Sequence, residues 1–234
     1  MNAPDSPLQV AIPDRLDAAA ALAGQVAHDL GNVLTVVLGN AEMLSEGLAD
    51  RPEAAALVAR MLRAAQRGTG LVDRLDLLAR EVPTGGTTDL PTLIGGYAER
   101  LAPGLPPGIG FAFSAAPGLG AVRLDATALS RALDELVDNA VAALGGSGRL
   151  TISAARVAGD PALIRVTVAD DGPGMDPALL RRCSAPAFAA GTAAHRTGLG
   201  LAIAGRIAAA AGGWLRLDSA PGAGTRAMLD LPVS

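Results

Sequence analysis

The chain has 234 residues, 50% hydrophobic but only 2% aromatic, and a net charge of −4. That length allows one large domain or two small ones, with cores built from Leu, Val, Ile and Ala. All 19 basic residues are arginine and they form no run, which argues against a nucleic-acid partner. Cys183 is the single cysteine, so a disulfide framework and a thiolate metal site are excluded. The N-terminus lacks a basic segment leading into an apolar one, and no stretch approaches the roughly 20 apolar residues that a membrane span requires. A cytoplasmic protein without a membrane span is expected.

Residues 1–14 carry three prolines and read as a flexible tail. From residue 15 the pattern is helical. Leu16, Ala20, Ala23, Ala27, Leu30, Leu34, Val37, Ala41, Leu44 and Leu48 alternate spacings of four and three, a heptad seam. Gly47 to Pro52 breaks the pattern. Leu57, Met61, Ala64, Gly68, Leu71, Leu75 and Leu78 then repeat it. Two long helices joined by a short turn predict an antiparallel hairpin over 15–82. One hairpin cannot bury such a seam alone, so a homodimer with a four-helix bundle is expected.

Val82-Pro83-Thr84-Gly85-Gly86 reads as a linker to a second domain over 87–234. There Arg149–Val157, Leu163–Ala169, Trp214–Leu217 and Ala227–Leu231 alternate like strands. Helices are predicted at about Ala126–Leu144 and Leu199–Ala211. This mixture predicts an α/β sandwich with helices on one face of a mixed sheet, and an α+β chain as a whole.

Several residues carry chemistry. His28 falls just after seam residue Ala27, on the solvent side, with Asn32 one turn further along. Its neighbour Asp29 could hold the imidazole tautomer and leave the other ring nitrogen nucleophilic. Glu135 and Asn139 are i,i+4 neighbours beside an apolar helix face, and their oxygens suit Mg²⁺ held together with phosphates. Asp170-Asp171-Gly172-Pro173-Gly174 follows a strand, where the carboxylate could accept from a purine amino group. Thr197-Gly198-Leu199-Gly200 opens a helix whose first N–H groups suit phosphate. Each element alone is common in ordinary turns and helix edges.

In this order they resemble the core of two-component sensor histidine kinases, over about Leu16 to Pro232. His28 to Asn32 is similar to the phosphoacceptor box, and Glu135 to Asn139 to the asparagine box. Asp170 to Gly174 and Thr197 to Gly200 resemble the two glycine boxes, and Gly222 to Thr225 the terminal glycine element. Phe188 falls where the family has a lid phenylalanine.

The resemblance implies a fold of the gyrase, chaperone and histidine-kinase type. It implies autophosphorylation of His28 from Mg-ATP and relay to an aspartate of a response-regulator receiver domain. Asp170 would take the adenine and Asn139 the metal, with Glu135 assisting as metal ligand or proton acceptor. Gly172, Gly174, Phe188, Arg196, Thr197, Gly198, Leu199, Gly200 and Thr225 would surround the nucleotide. Asp29 and Asn32 match the family's pattern for dephosphorylating the regulator. No sensor domain precedes the hairpin, so either a separate input protein is expected or the sequence is a piece of something longer.

Two features depart from the family pattern. Val33 stands where a proline is usual, and the lid segment 185–191 has one aromatic and no polar side chain. Two rival readings follow: a histidine phosphotransfer protein whose second domain no longer binds ATP, and a non-kinase ATPase related to gyrase or chaperone domains. The second leaves the heptads and His28 unexplained.

Overall fold

The computed structural model describes residues 8–9, 16–48, 51–79, 82–83, 85–183 and 199–234. Contacts divide the chain into two units, residues 14–81 and residues 1–13 with 82–234.

The first unit is a helical hairpin. Helix α1 (Leu16–Glu46) has 31 residues and α2 (Pro52–Ala79) has 28. Pro52 opens α2, where its missing N–H would have had no intrahelical partner, and Glu53 complements the positive end of the helix dipole. Helix α1 runs unbroken past Val33.

The seam predicted along α1 divides between two faces. Ala27 and Ala41 are buried against α2, where Val58, Ala65 and Val72 are buried in turn. A Cβ added to Gly31 would meet Val72 Cγ1 at 3.4 Å, and one added to Gly68 would meet both Leu34 methyls at 3.1 Å. The alternate heptad positions Leu30, Val37 and Leu44 stay exposed, as do Leu57, Met61 and Leu71 of α2. Small residues on α1 permit the close approach of the two helices, and on α2 the buried Val58, Ala65 and Val72 each follow by one the exposed seam residues Leu57, Ala64 and Leu71.

The second unit is built on a six-stranded sheet. Its strands are β1 (Leu8–Gln9), β3 (Ile109–Ala115), β5 (Gly148–Val157), β6 (Asp160–Asp170), β7 (Trp214–Ser219) and β8 (Thr225–Pro232). Their spatial order is β1-β7-β8-β6-β5-β3, with β3 parallel to β5 and every other pair antiparallel. A short ladder joins β2 (Thr88–Asp89) to β4 (Ala121–Val122). Strand β1 falls within the segment expected as a tail. No element was predicted for residues 88–122, which supply α3 (Leu90–Leu101) and β3. Pro91, Gly95 and Gly96 mask α3 in the sequence. Asp89 starts it by accepting from Thr92 N at 3.2 Å, and Pro91 lies in the first turn, where it is tolerated.

Helices α4 (Ala126–Leu144) and α6 (Leu199–Ala210) pack on each other and on the sheet; α5 (Pro177–Cys183) is one short segment. Asp125 caps α4, its Oδ1 accepting from Thr127 N at 2.8 Å, and Gly145 ends it with φ 61°. Leu129, Leu133, Leu136, Val137, Ala140 and Leu144 form its buried stripe. Beneath them lie Ile152, Val168, Ala227 and Leu217, which the strand registers align across the sheet on one face. On the opposite face Asp230 is fully buried. It is gripped by Arg165 through Nε at 2.6 Å and Nη2 at 2.9 Å, by Trp214 Nε1 at 2.9 Å, and by Arg216 Nε at 3.2 Å.

Candidate active site

Register places the site at one end of the sheet. Two residues beyond the apolar row, Leu150, Asp170, Thr225 and Ser219 stand side by side on β5, β6, β8 and β7. Side chains directly opposite in a ladder share a face, so this second row lies on the helix-covered side. Ser219 Oγ donates to Gly224 O at 2.7 Å, lies 3.0 Å from Thr225 Oγ1, and accepts from Met175 N at 2.9 Å.

Asp170 ends β6 and folds back on its own turn. Its Oδ1 accepts from Gly172 N at 3.0 Å, a local bond typical of aspartate in turns. The next residue, Asp171, accepts from Arg149 N at 2.6 Å through Oδ1. The turn is then stitched to residues 220–224, because Gly222 N donates to Pro173 O at 2.7 Å. Two glycines allow this approach. Gly174 has φ 68°, and a Cβ there would collide with the Ala220 carbonyl; Gly224 has φ 76°, and a Cβ there would collide with the Asp170 carbonyl. The sequence elements at Asp170 and Gly222 are thus two sides of one structure.

The other wall comes from α4 and α6. Glu135 is buried, with Arg131 Nε at 4.0 Å from its Oε1. A Cβ on Gly200 would fall 2.8 Å from Glu135 Oε2 and 3.1 Å from Asn139 Nδ2. The second glycine box therefore lies directly on the i,i+4 pair of the asparagine box. Helix α4 is fixed from behind by Tyr97 of α3, whose hydroxyl donates to Asp134 Oδ1 at 2.9 Å. Burial, reinforced by the Asp134 carboxylate, pushes the Tyr97 phenol above its ordinary range, so it remains a donor.

Between these walls is a cavity of about 300 Å³, within the usual size of small-molecule sites. Its lining includes Asn139, Asp170, Gly174, Gly200 and Thr225, all named from the sequence. Gly172 packs against Asp170 Oδ1 instead, and Leu199 is buried, so only its backbone could meet a ligand. Phe188, Arg196, Thr197 and Gly198 lie outside the described residues. The sequence reading missed the apolar floor of Leu136, Val168, Met175 and Leu217, and it missed Ser219 and Cys183. Ser219 could be found only through its register with Thr225. Burial pushes the Cys183 thiol up, partly offset by Arg182.

Among the described residues no three His, Cys, Asp or Glu side chains converge. Asn139 lines the cavity while the buried Glu135 carboxylate lies behind it against Gly200, and such oxygen donors fit a hard divalent cation held jointly with ligand phosphates, not a cage made by protein alone. In the hairpin unit, His28, Asp29 and Asn32 are all exposed on α1. One turn of the same helix is further tied by Thr35 Oγ1 donating to Gly31 O at 2.8 Å.

Comparisons with known proteins agree with these two units. Residues 18–82 match the family described as His Kinase A (phospho-acceptor) domain, and residues 124–234 that of histidine kinase-, DNA gyrase B- and HSP90-like ATPases. The sensor histidine kinase ZraS of Klebsiella oxytoca is 34% identical over 223 residues, 94% of this chain and 47% of that protein. The chain therefore spans about half the length of that curated relative. Full-length ShkA, crystallised with AMPPNP, shares the fold with a TM-score of 0.70 at 24% identity, covering 95% of this chain and 46% of ShkA. ThkA, crystallised with the response regulator TrrA, has a TM-score of 0.65 at 21% identity, covering 94% of this chain and 64% of that one. With a phosphoacceptor hairpin followed by an ATPase unit of this type, the chain belongs to the two-component histidine kinases and comprises their core.

Proposed function

We propose that the chain is an ATP-dependent protein-histidine kinase that phosphorylates His28 and passes the phosphoryl group to a response-regulator aspartate. The observation that carries this reading is the cavity where Asn139, Asp170, Gly174, Gly200 and Thr225 meet, in a chain that also presents an exposed histidine on a phosphoacceptor helix.

In this reading Asp170 accepts from the adenine amino group while the apolar floor takes the ring. Asn139 and Glu135 hold the metal, and Mg²⁺ when bound neutralises the triphosphate charge. Gly200 keeps the entry of α6 free of side chain, so that backbone can approach phosphate. His28 uses the nitrogen that faces solvent to attack the γ-phosphorus. The new N–P bond forms as the β,γ-bridging P–O bond breaks, and ADP leaves with the electron pair. Asp29 holds the other ring nitrogen as a donor and stabilises the imidazolium that develops. Positioning and charge neutralisation supply most of the acceleration. Phe188, Arg196, Thr197 and Gly198 complete the nucleotide site.

The exposed stripe of Leu30, Val37, Leu44, Leu57, Met61 and Leu71 supports pairing of two hairpins into a four-helix dimer. The acceptor of the phosphoryl group is a receiver domain of the kind that ThkA was crystallised with. Asp29 and Asn32 lie one turn apart, suited to orienting water on that phosphorylated regulator, so phosphatase activity accompanies kinase activity. No helix among the described residues is long and apolar enough to cross a membrane, in keeping with a cytoplasmic kinase.

The nucleotide half is tested by calorimetric titration with Mg-ATP. Asp170→Asn, which turns an acceptor into a mixed group, is expected to weaken binding at least about tenfold, the scale of a lost charge-assisted hydrogen bond. Equal affinities for ATP in the two chains would remove Asp170 from the adenine site.

A further inference from the structure

Strand β1 is an unusual piece of the sheet. It consists of Leu8 and Gln9, paired with Leu217 and Arg216 at the outer edge of β7. In sequence it precedes the whole phosphoacceptor hairpin, residues 14–81, yet it belongs to the unit formed by 82–234. In sequence the hairpin is thus an insertion between the two parts of the ATPase unit, residues 1–13 and 82–234.

Three features make this pairing exchangeable. A two-residue ladder is far shorter than the strands that hold by themselves. It joins residues more than 200 positions apart, so its closure entropy is high for the few bonds it forms. Finally, an edge strand binds through its backbone, which accepts any extended segment of suitable register.

We propose that the β7 edge is a strand-docking site whose resident occupant is the chain's own Leu8–Gln9 segment, which exchanges on and off. Docked, it holds the phosphoacceptor hairpin to the ATPase unit at both ends. Released, it leaves attachment at Val82 alone. Anything that pulls on or replaces the segment preceding α1 then alters how freely the ATPase unit moves during phosphoryl transfer. The docking site stands independently of the kinase reading; its effect on phosphorylation rests on that reading.

The test compares the full chain with its Leu8→Pro/Gln9→Pro double variant, which removes both backbone donors of β1. Alternate residues of a strand direct their N–H groups to opposite neighbours, so either the Arg216 or the Leu217 amide faces β1. Hydrogen exchange at that amide is expected to quicken about tenfold or more in the variant. Exchange at Val166 and Val168, inside the β6–β8 ladder, stays unchanged and certifies the fold. A synthetic peptide of residues 1–13 restores protection to the variant. Unchanged exchange at both β7 amides, or a peptide without effect, overturns the docking site. The initial rate of His28 labelling from ATP is expected to rise about threefold or more once the second attachment is lost. Quickened exchange with an unaltered labelling rate overturns the restraint, whereas no labelling of either chain refutes the kinase reading and leaves exchange to decide the docking.

Discussion

Gly200 lies so close to Glu135 that a Cβ added to it would stand 2.8 Å from the carboxylate Oε2. The same methyl would stand 3.1 Å from Asn139 Nδ2. Three residues from two helices thus share one contact at the wall of the cavity, and the smallest side chain is the condition for the other two to keep their places.

Gly200→Ala should therefore impair catalysis more than stability. Glu135 is buried, so the methyl displaces its carboxylate and the neighbouring amide together. The expected loss in His28 phosphorylation is about 10- to 100-fold, equivalent to roughly 1.4–2.7 kcal/mol of activation free energy. Alanine exceeds glycine in helix propensity, so the thermal midpoint should hold or rise slightly. Single-turnover labelling alongside thermal unfolding checks both halves; a large drop in midpoint with normal labelling would contradict the contact as described.

Asp230→Ala should unfold the ATPase unit more easily without touching the cavity. The carboxylate is the shared partner of Arg165, Arg216 and Trp214, on the sheet face opposite the helices. Its removal leaves two partly buried guanidinium groups without their counter-charge. Losing one partner of a buried ion pair costs about 3–5 kcal/mol. Urea unfolding of the native and variant chains measures this. Nucleotide affinity of the variant that remains folded should stay unchanged.

Cys183 should react slowly with alkylating agents at neutral pH. The thiol is buried and lines the cavity, and burial raises its pKa, so less of it is thiolate than in an open cysteine, which ionises at about pH 8.5. The sign for stability follows. A group with a raised folded pKa contributes fully below its unfolded pKa, and that contribution is lost as pH rises through the folded value. Iodoacetamide labelling across an alkaline pH series should show a midpoint above that of free cysteine, and Mg-ATP should slow labelling further. A midpoint below it would contradict the burial.

The cavity walls were legible because each is a local pattern: an i,i+4 pair at Glu135 and Asn139, glycine turns at Gly174 and Gly224, and a glycine at the head of α6. Residues whose role depends on pairing across the sheet were not. Ser219 lies at a strand end just outside the alternation that marked β7, and only its register with Thr225 brings it to the site. Strand β1 offers two residues and no periodicity, so nothing local distinguishes it from a tail. Along α1 the heptad was visible, but which apolar residues meet α2 was not. Ala27 and Ala41 turned inward while Leu30, Val37 and Leu44 remained exposed, since small residues permit the close helix contact and larger ones suit a wider interface.

The most direct measurement of the central claim is phosphoprotein formation from γ-phosphate-labelled ATP and Mg²⁺ by the native chain and by His28→Gln. The account predicts that the native chain acquires label that is lost in acid and stable in base, as expected of phosphohistidine, and that His28→Gln acquires none while binding ATP normally. Acid-labile label on His28→Gln, or ATP turnover by the native chain without any phosphoprotein, would contradict it.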